Sequence, residues 1–119
     1  MKVLLINGSP HEKGCTYTAL SLIAKELNDA GVDTEILHVG GKPVGGCIGC
    51  GGCAAGNSCV FGGVVNEAIE KAKTADGFVF GSPVHYASAS GNMTSFMDRL
   101  AYAGGRYLAY KPAAICCSA

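Results

Sequence analysis

At 119 residues with 49% hydrophobic content, the chain is long enough for one buried core, too short for two independent ones, and too apolar to be a disordered polymer. Nine basic and nine acidic residues cancel, and no Lys/Arg stripe lines up to neutralise a row of phosphates, which excludes nucleic acid and anionic membrane surfaces as partners. The opening apolar run Val3-Leu4-Leu5-Ile6 is too short for a signal-peptide core or a membrane span, so a cytoplasmic protein is expected.

Lys2–Asn7 reads as a strand buried on both faces, the kind found at the centre of a parallel sheet. Leu20, Ile23, Ala24 and Leu27 then recur at helical spacing, with Thr16 or a neighbour near the start and Gly31 just past the end, predicting a helix from about Thr16 to Ala30. Thr34–Val39 is a β-type run that closes a β-α-β unit. The stretch 40–63 has no period, is dense in glycine, carries four of the seven cysteines, and is long for a structureless connection, so something must hold it. Val64–Lys73 returns to helical spacing, with Glu67 and Lys71 placed to pair on its exposed face. Gly77–Gly81 is a third buried strand, Ser82–Ser90 a loop, Gly91–Tyr102 a helix with Met93, Phe96, Met97 and Leu100 on one face, and Ala113–Cys117 a fourth strand. This order predicts an α/β fold, a doubly wound parallel sheet in three layers, with ligands bound beyond the carboxyl ends of the strands. The sequence ends at Ala119 directly after the fourth strand, and the expectation is one domain over 1–119 that is incomplete at its C-terminal side or has its edge strand completed by another chain.

Charged residues are scarce, 15% against a usual ~25%, which offers little repulsion to self-association, and a homodimer or higher homo-oligomer is expected. Seven cysteines in a reducing compartment point to metal, cluster or redox chemistry more readily than to structural disulfides, and the odd count argues against a closed disulfide framework.

The first strand is followed by Gly8-Ser9-Pro10-His11-Glu12-Lys13-Gly14-Cys15-Thr16. The Ser9 and Thr16 hydroxyls, free backbone N–H groups and a positive helix end suit a terminal phosphate monoester. The same run also reads as a plain Gly/Pro turn with a helix cap. Neither a P-loop nor a dinucleotide glycine pattern is present. Gly81-Ser82-Pro83-Val84-His85-Tyr86-Ala87-Ser88 places backbone donors, an imidazole and a phenol at the same end of the sheet, where a planar heterocycle can lie; taken alone, His85 and Tyr86 read as surface loop residues.

Together with Gly91-Asn92-Met93-x-x-Phe96-Met97-Asp98-Arg99, these segments resemble the NADPH-dependent FMN reductase family of the flavodoxin-like fold, in the family's order and over nearly the whole chain. The resemblance implies FMN as cofactor and NAD(P)H as transient electron donor. It places Ser9, His11, Cys15 and Thr16 around the FMN phosphate, and Pro83, Val84, His85 and Tyr86 beside the isoalloxazine ring. The loop starting at Ser118 would help cover the flavin, and the family continues for another strand and helix. His11 stands where the family usually has Arg and Cys15 where it has Asn, which makes phosphate affinity weaker or more pH-dependent.

Cys47-x2-Cys50-x2-Cys53-x5-Cys59 sits among glycines that let backbone wrap closely around a compact core. It resembles the motif of iron-sulfur flavoproteins, a branch of the same family carrying a [4Fe-4S] cluster, with these four cysteines as its ligands. Free or oxidised thiols and a zinc site are the alternatives. Cys116 and Cys117 are expected in the core, while His38, Phe96, Met97 and the Asp98–Arg99 pair are read as structural.

The function expected is an FMN-dependent oxidoreductase passing electrons from NAD(P)H or a protein donor to an acceptor, with no protein-borne catalytic residue, since the flavin carries the chemistry. Two other readings stand beside it: an iron-sulfur electron carrier without small-molecule turnover, and a zinc- or thiol-bearing binding module without enzymatic activity.

Overall fold

The computed structural model describes all 119 residues. Its elements in chain order are β1 (Lys2–Asn7), α1 (Cys15–Asp29), β2 (Asp33–His38), α2 (Cys53–Gly56), α3 (Val64–Thr74), β3 (Gly77–His85), β4 (Ser88–Ala89), α4 (Gly91–Leu108) and β5 (Ala113–Ser118). Four strands form a parallel sheet in the order β2-β1-β3-β5, and β4 turns back antiparallel on the end of β3. This is the doubly wound arrangement expected, with every parallel strand delivering its carboxyl end to one edge.

Strand alternation builds the two cores. Leu4 and Ile6 of β1 and Phe78 of β3 face α3 and α4, joining Val65, Ile69, Met93, Phe96 and Leu100. Leu5 and Val79, one residue along, face the opposite way onto Leu20 and Ala24 of α1. The sheet is thus covered on both sides, which is why β1 is a continuous apolar run and not an alternating one.

Two boundaries, one ion pair and one cysteine differ from the sequence reading. β3 runs to His85 and α4 to Leu108, past Gly104 and Gly105. A glycine pair usually marks a helix end, but a Cβ at Gly104 would come within 2.8 Å of Ile69, so this residue is what lets α3 and α4 pack closely. Lys71 does not pair with Glu67; it reaches Glu35 on β2, which also takes the Lys2 ammonium at 2.9 Å. Cys116 is half-buried against the α1 core, but Cys117 is exposed, and Ile115 beside it is 84% exposed. The expectation of a buried Cys117 is therefore corrected: β5 hydrogen-bonds only to β3 and turns Cys117 away from α1. No helix is long and apolar enough to cross a membrane.

Candidate functional site

At the carboxyl edge of the sheet, the turn after β1 is ordered from beneath by Asn7. Its side chain is fully buried, accepts the Ser9 N–H at 3.0 Å and donates to the Glu12 carbonyl at 3.0 Å. The Ser9 hydroxyl accepts the His11 N–H at 3.1 Å. His38, at the end of β2, meets the Ser9 carbonyl at 2.7 Å through Nε2, which must carry the proton because the oxygen can only accept. The loop following β2 presses against the same turn: a side chain at Gly40 would collide with the carbonyl oxygens of Gly8 and Ser9.

This turn delivers the amino end of α1 bare. Gly14 provides no capping side chain and no acidic residue occupies the first turn, leaving the backbone N–H groups of Cys15, Thr16 and Tyr17 without intrahelical acceptors. Thr16 is buried within this first turn, and its hydroxyl lies 3.0 Å from that of Ser118 at the end of β5. Thr16 and Ser118 are thus brought together and Ser9 is buried in the turn that leads into the helix, while His11 and Cys15 stand exposed. Donors without acceptors at a positive helix end fit a phosphate dianion.

The second segment is built differently from the plain loop expected. Val84 pairs with Ala89 and His85 with Ser88, so Tyr86 and Ala87 are the two central residues of a hairpin, at φ 46° and 64°. Such turns demand positive φ at both centres and normally use Asn or Gly. Tyr86 stands wholly in solvent, Val84 and His85 are exposed, and Pro83 is half-buried. Beneath the hairpin, Pro83, Val84, Met93, Met97, Ile115 and Cys117 line an apolar hollow of about 370 Å³. A larger hollow of about 720 Å³ lies to one side, lined by Glu12, His38 and Lys42 among others.

Ser90, buried at the start of α4, joins the two segments. Its hydroxyl donates to the Gly8 carbonyl at 2.9 Å and accepts the Met93 N–H, and its own N–H donates to the Ser82 hydroxyl at 3.0 Å. A Ser before a helical pattern is a readable cap; nothing in the sequence shows that the same hydroxyl reaches the β1 turn.

The Cys-rich stretch is held by side chains rather than by its own secondary structure. Asn92 accepts the Val44 N–H and donates to the Gly40 and Lys42 carbonyls. Asn66 on α3 pairs with both backbone groups of Cys59 at 2.8 Å. Arg99, read as half of a helix-end ion pair, is instead buried in mid-helix and donates to Gly45, Gly62 and the Cys59 sulfur, while Asp98 beside it is exposed. The missed signal is positional, because Arg99 lies on the stripe of Phe96 and Ala103. Cys47, Cys50, Cys53 and Cys59 all line one largely apolar pocket of about 190 Å³. Burial alone would push the Cys59 thiol up, but the Phe61 and Gly62 backbone and the Arg99 guanidinium outweigh it and hold the thiol below its ordinary value. Burial and the neighbouring Cys117 push Cys116 the other way.

The donor set fits a thiolate-bound centre in type and in shared pocket, yet no three Cys, His, Asp or Glu side chains converge closely enough to hold a metal ion as they stand. Ligation therefore requires the four thiols to draw closer together, and the positive-φ Gly49 and Gly51 between the first three cysteines give the backbone that freedom.

Comparison with known proteins adds to this geometry. Residues 1–119 match the family described as NADPH-dependent FMN reductase. An iron-sulfur flavoprotein of Methanocaldococcus jannaschii is 34% identical over 83% of this chain and 51% of its own length. One from Archaeoglobus fulgidus is 33% identical over 89% of this chain and 48% of its own. The chain thus spans about half the length of the curated relatives it matches. Among solved structures, the NAD(P)H:quinone oxidoreductase of Methanothermobacter marburgensis superposes with a TM-score of 0.71 at 16% identity, covering 98% of this chain and 66% of that one. The flavoenzyme NAD(P)H:(acceptor) oxidoreductase FerB of Paracoccus denitrificans gives 0.69 at 18% identity, covering 99% and 60%. At these identities the superpositions establish the fold, flavodoxin-like, and nothing finer.

Proposed function

The chain belongs to the NADPH-dependent FMN reductase family, and from that premise we propose that residues 1–119 form an FMN-binding unit of a flavin oxidoreductase that passes electrons from NAD(P)H or a protein donor to an acceptor. The observation that carries this reading is the bare amino end of α1, with the Thr16 and Ser118 hydroxyls in contact there, at the carboxyl edge of a parallel sheet. FMN, when bound, supplies the redox chemistry, so the protein needs neither a nucleophile nor an acid–base pair.

The residues have separable tasks. Asn7 and His38 fix the backbone of the phosphate turn; the N–H groups of Cys15 and Thr16 and the Thr16 hydroxyl bind the phosphate. Pro83 and Val84 offer apolar surface to the ring, and His85 and Tyr86 border it from the hairpin. Ser90 keeps the two halves in register.

A second component is supported by the shared pocket of Cys47, Cys50, Cys53 and Cys59 and by the names of the curated relatives: these four thiols would hold a [4Fe-4S] cluster, which would supply one-electron exchange with the flavin. If that exchange is the whole activity, the protein is an electron carrier. Visible absorption of anaerobically purified protein, with iron and sulfide analysis, tests both parts. A flavin band with broad added absorbance and four irons per chain is expected. A flavin band alone returns the cysteines to free thiols, zinc without flavin leaves only a binding module, and equal affinity for riboflavin and FMN overturns the phosphate assignment.

A further inference from the structure

A guanidinium withdrawn from water is normally matched by a carboxylate, because an unpaired buried charge is strongly destabilising. Arg99 is only 7% exposed, and none of the chain's four ion pairs includes it. Its three nitrogens go elsewhere: Nη1 to the Gly45 carbonyl at 3.2 Å, Nη2 to the Gly62 carbonyl at 3.0 Å and Nε to the Cys59 sulfur at 3.3 Å. Gly45 precedes the first cysteine of the motif and Gly62 follows the last, so one side chain grips both ends of the segment that carries all four. Phe61 stacks beside the guanidinium, 5.8 Å from its ring centre. Two neutral carbonyls leave the cation without a counter-charge, and its third neighbour is the Cys59 sulfur.

We infer that Arg99 is the positioning residue of the Cys-rich loop, closing it from both ends against α4 and setting its positive charge against the Cys59 sulfur, where it serves as counter-charge to whatever that sulfur helps to hold. The inference rests on the reading of the four cysteines as one ligand set. A lysine could supply the charge but not the fork, since a single ammonium cannot span three acceptors in fixed geometry.

Arg99→Met and Arg99→Lys separate the two tasks, with far-UV circular dichroism and thermal melting confirming that each variant folds. In metal-free protein, hydrogen exchange read by mass spectrometry should accelerate at least tenfold over residues 45–62 in both variants, while β1 and β3 keep wild-type rates. After anaerobic reconstitution with iron and sulfide, iron per chain should fall at least twofold in both. The cluster's reduction potential should drop in Arg99→Met, because reduction adds negative charge that no longer meets a cation, and should stay near the wild-type value in Arg99→Lys. Unchanged exchange over 45–62 in Arg99→Met would overturn the clamp, and an unchanged potential would overturn the counter-charge. Should wild-type protein take up no iron, the cluster assignment fails, and the exchange measurement alone then upholds or overturns the clamp.

Discussion

Thr16 and Glu35 show how single side chains at opposite ends of the sheet do different work. Thr16 is buried at the amino end of α1 but does not cap it, since its hydroxyl faces Ser118. Thr16→Ala should therefore leave the melting temperature nearly unchanged while weakening FMN by on the order of 1 kcal/mol, about fivefold. Riboflavin, lacking the phosphate, should bind both proteins alike in a fluorescence titration. Glu35 is held below the ordinary carboxylate value of 4.5 by hydrogen bonds from Lys71 and Lys2. A lowered folded-state pKa contributes stability that is complete above the unfolded value and disappears as pH falls through the folded one. The carboxylate is about one-third exposed, so solvent screening limits the effect to below about 1 kcal/mol. Glu35→Gln should thus be less stable than wild type in urea titrations at pH 7, and the gap should narrow as pH falls below the ordinary carboxylate value of 4.5.

Among the elements, the β3–β4 hairpin carries the clearest local conflict. Ala87 sits at φ 64°, where a Cβ costs roughly 1–2 kcal/mol and a second branch at Cβ costs more. Ala87→Gly should raise thermal stability by about 0.5 kcal/mol after the added flexibility of glycine is counted, and Ala87→Val should lower it by about 1–2 kcal/mol. This hairpin also marks where the sequence stops being readable. Strands β1 and β3 and helices α1 and α3 announce themselves through apolar periodicity, and the turn after β1 through its Gly, Ser and Pro. Tyr86-Ala87 has no turn chemistry, because its conformation is imposed by pairing of the residues on either side. The fastening of 40–63 is equally hidden: Asn66, Asn92 and Arg99 contact residues 7, 52 and 54 positions away, and local pattern carries no information about such contacts. The exposure of Cys117 is hidden for a related reason, since an apolar strand reads as central whether or not a helix comes to lie over it.

Across the whole molecule, two cores grip one sheet, and everything with chemical potential lies at the carboxyl edge or along α4. That helix supplies Ser90 to the phosphate turn, Asn92 to the start of the Cys-rich stretch and Arg99 to its two ends, so the proposed flavin and thiol sites are positioned by one rigid rod. The Ser90–Gly8 hydrogen bond closes a span of 82 residues, and so long a closure has a temporal meaning as well as a structural one. The Gly8 turn and the start of α4 meet only once β3, whose Gly81 carbonyl also takes the Gly8 N–H, is paired beside β1, so this bond is expected to form late, after the folding barrier. Ser90→Ala, which removes about 1–2 kcal/mol of capping and hydrogen bonding, should leave the refolding rate nearly untouched and speed unfolding about five- to thirtyfold in stopped-flow denaturant jumps. A refolding rate that falls instead would place this contact in the folding nucleus. The late-forming bond makes the lifetime of the assembled site, rather than the speed of its assembly, the quantity that Ser90 governs.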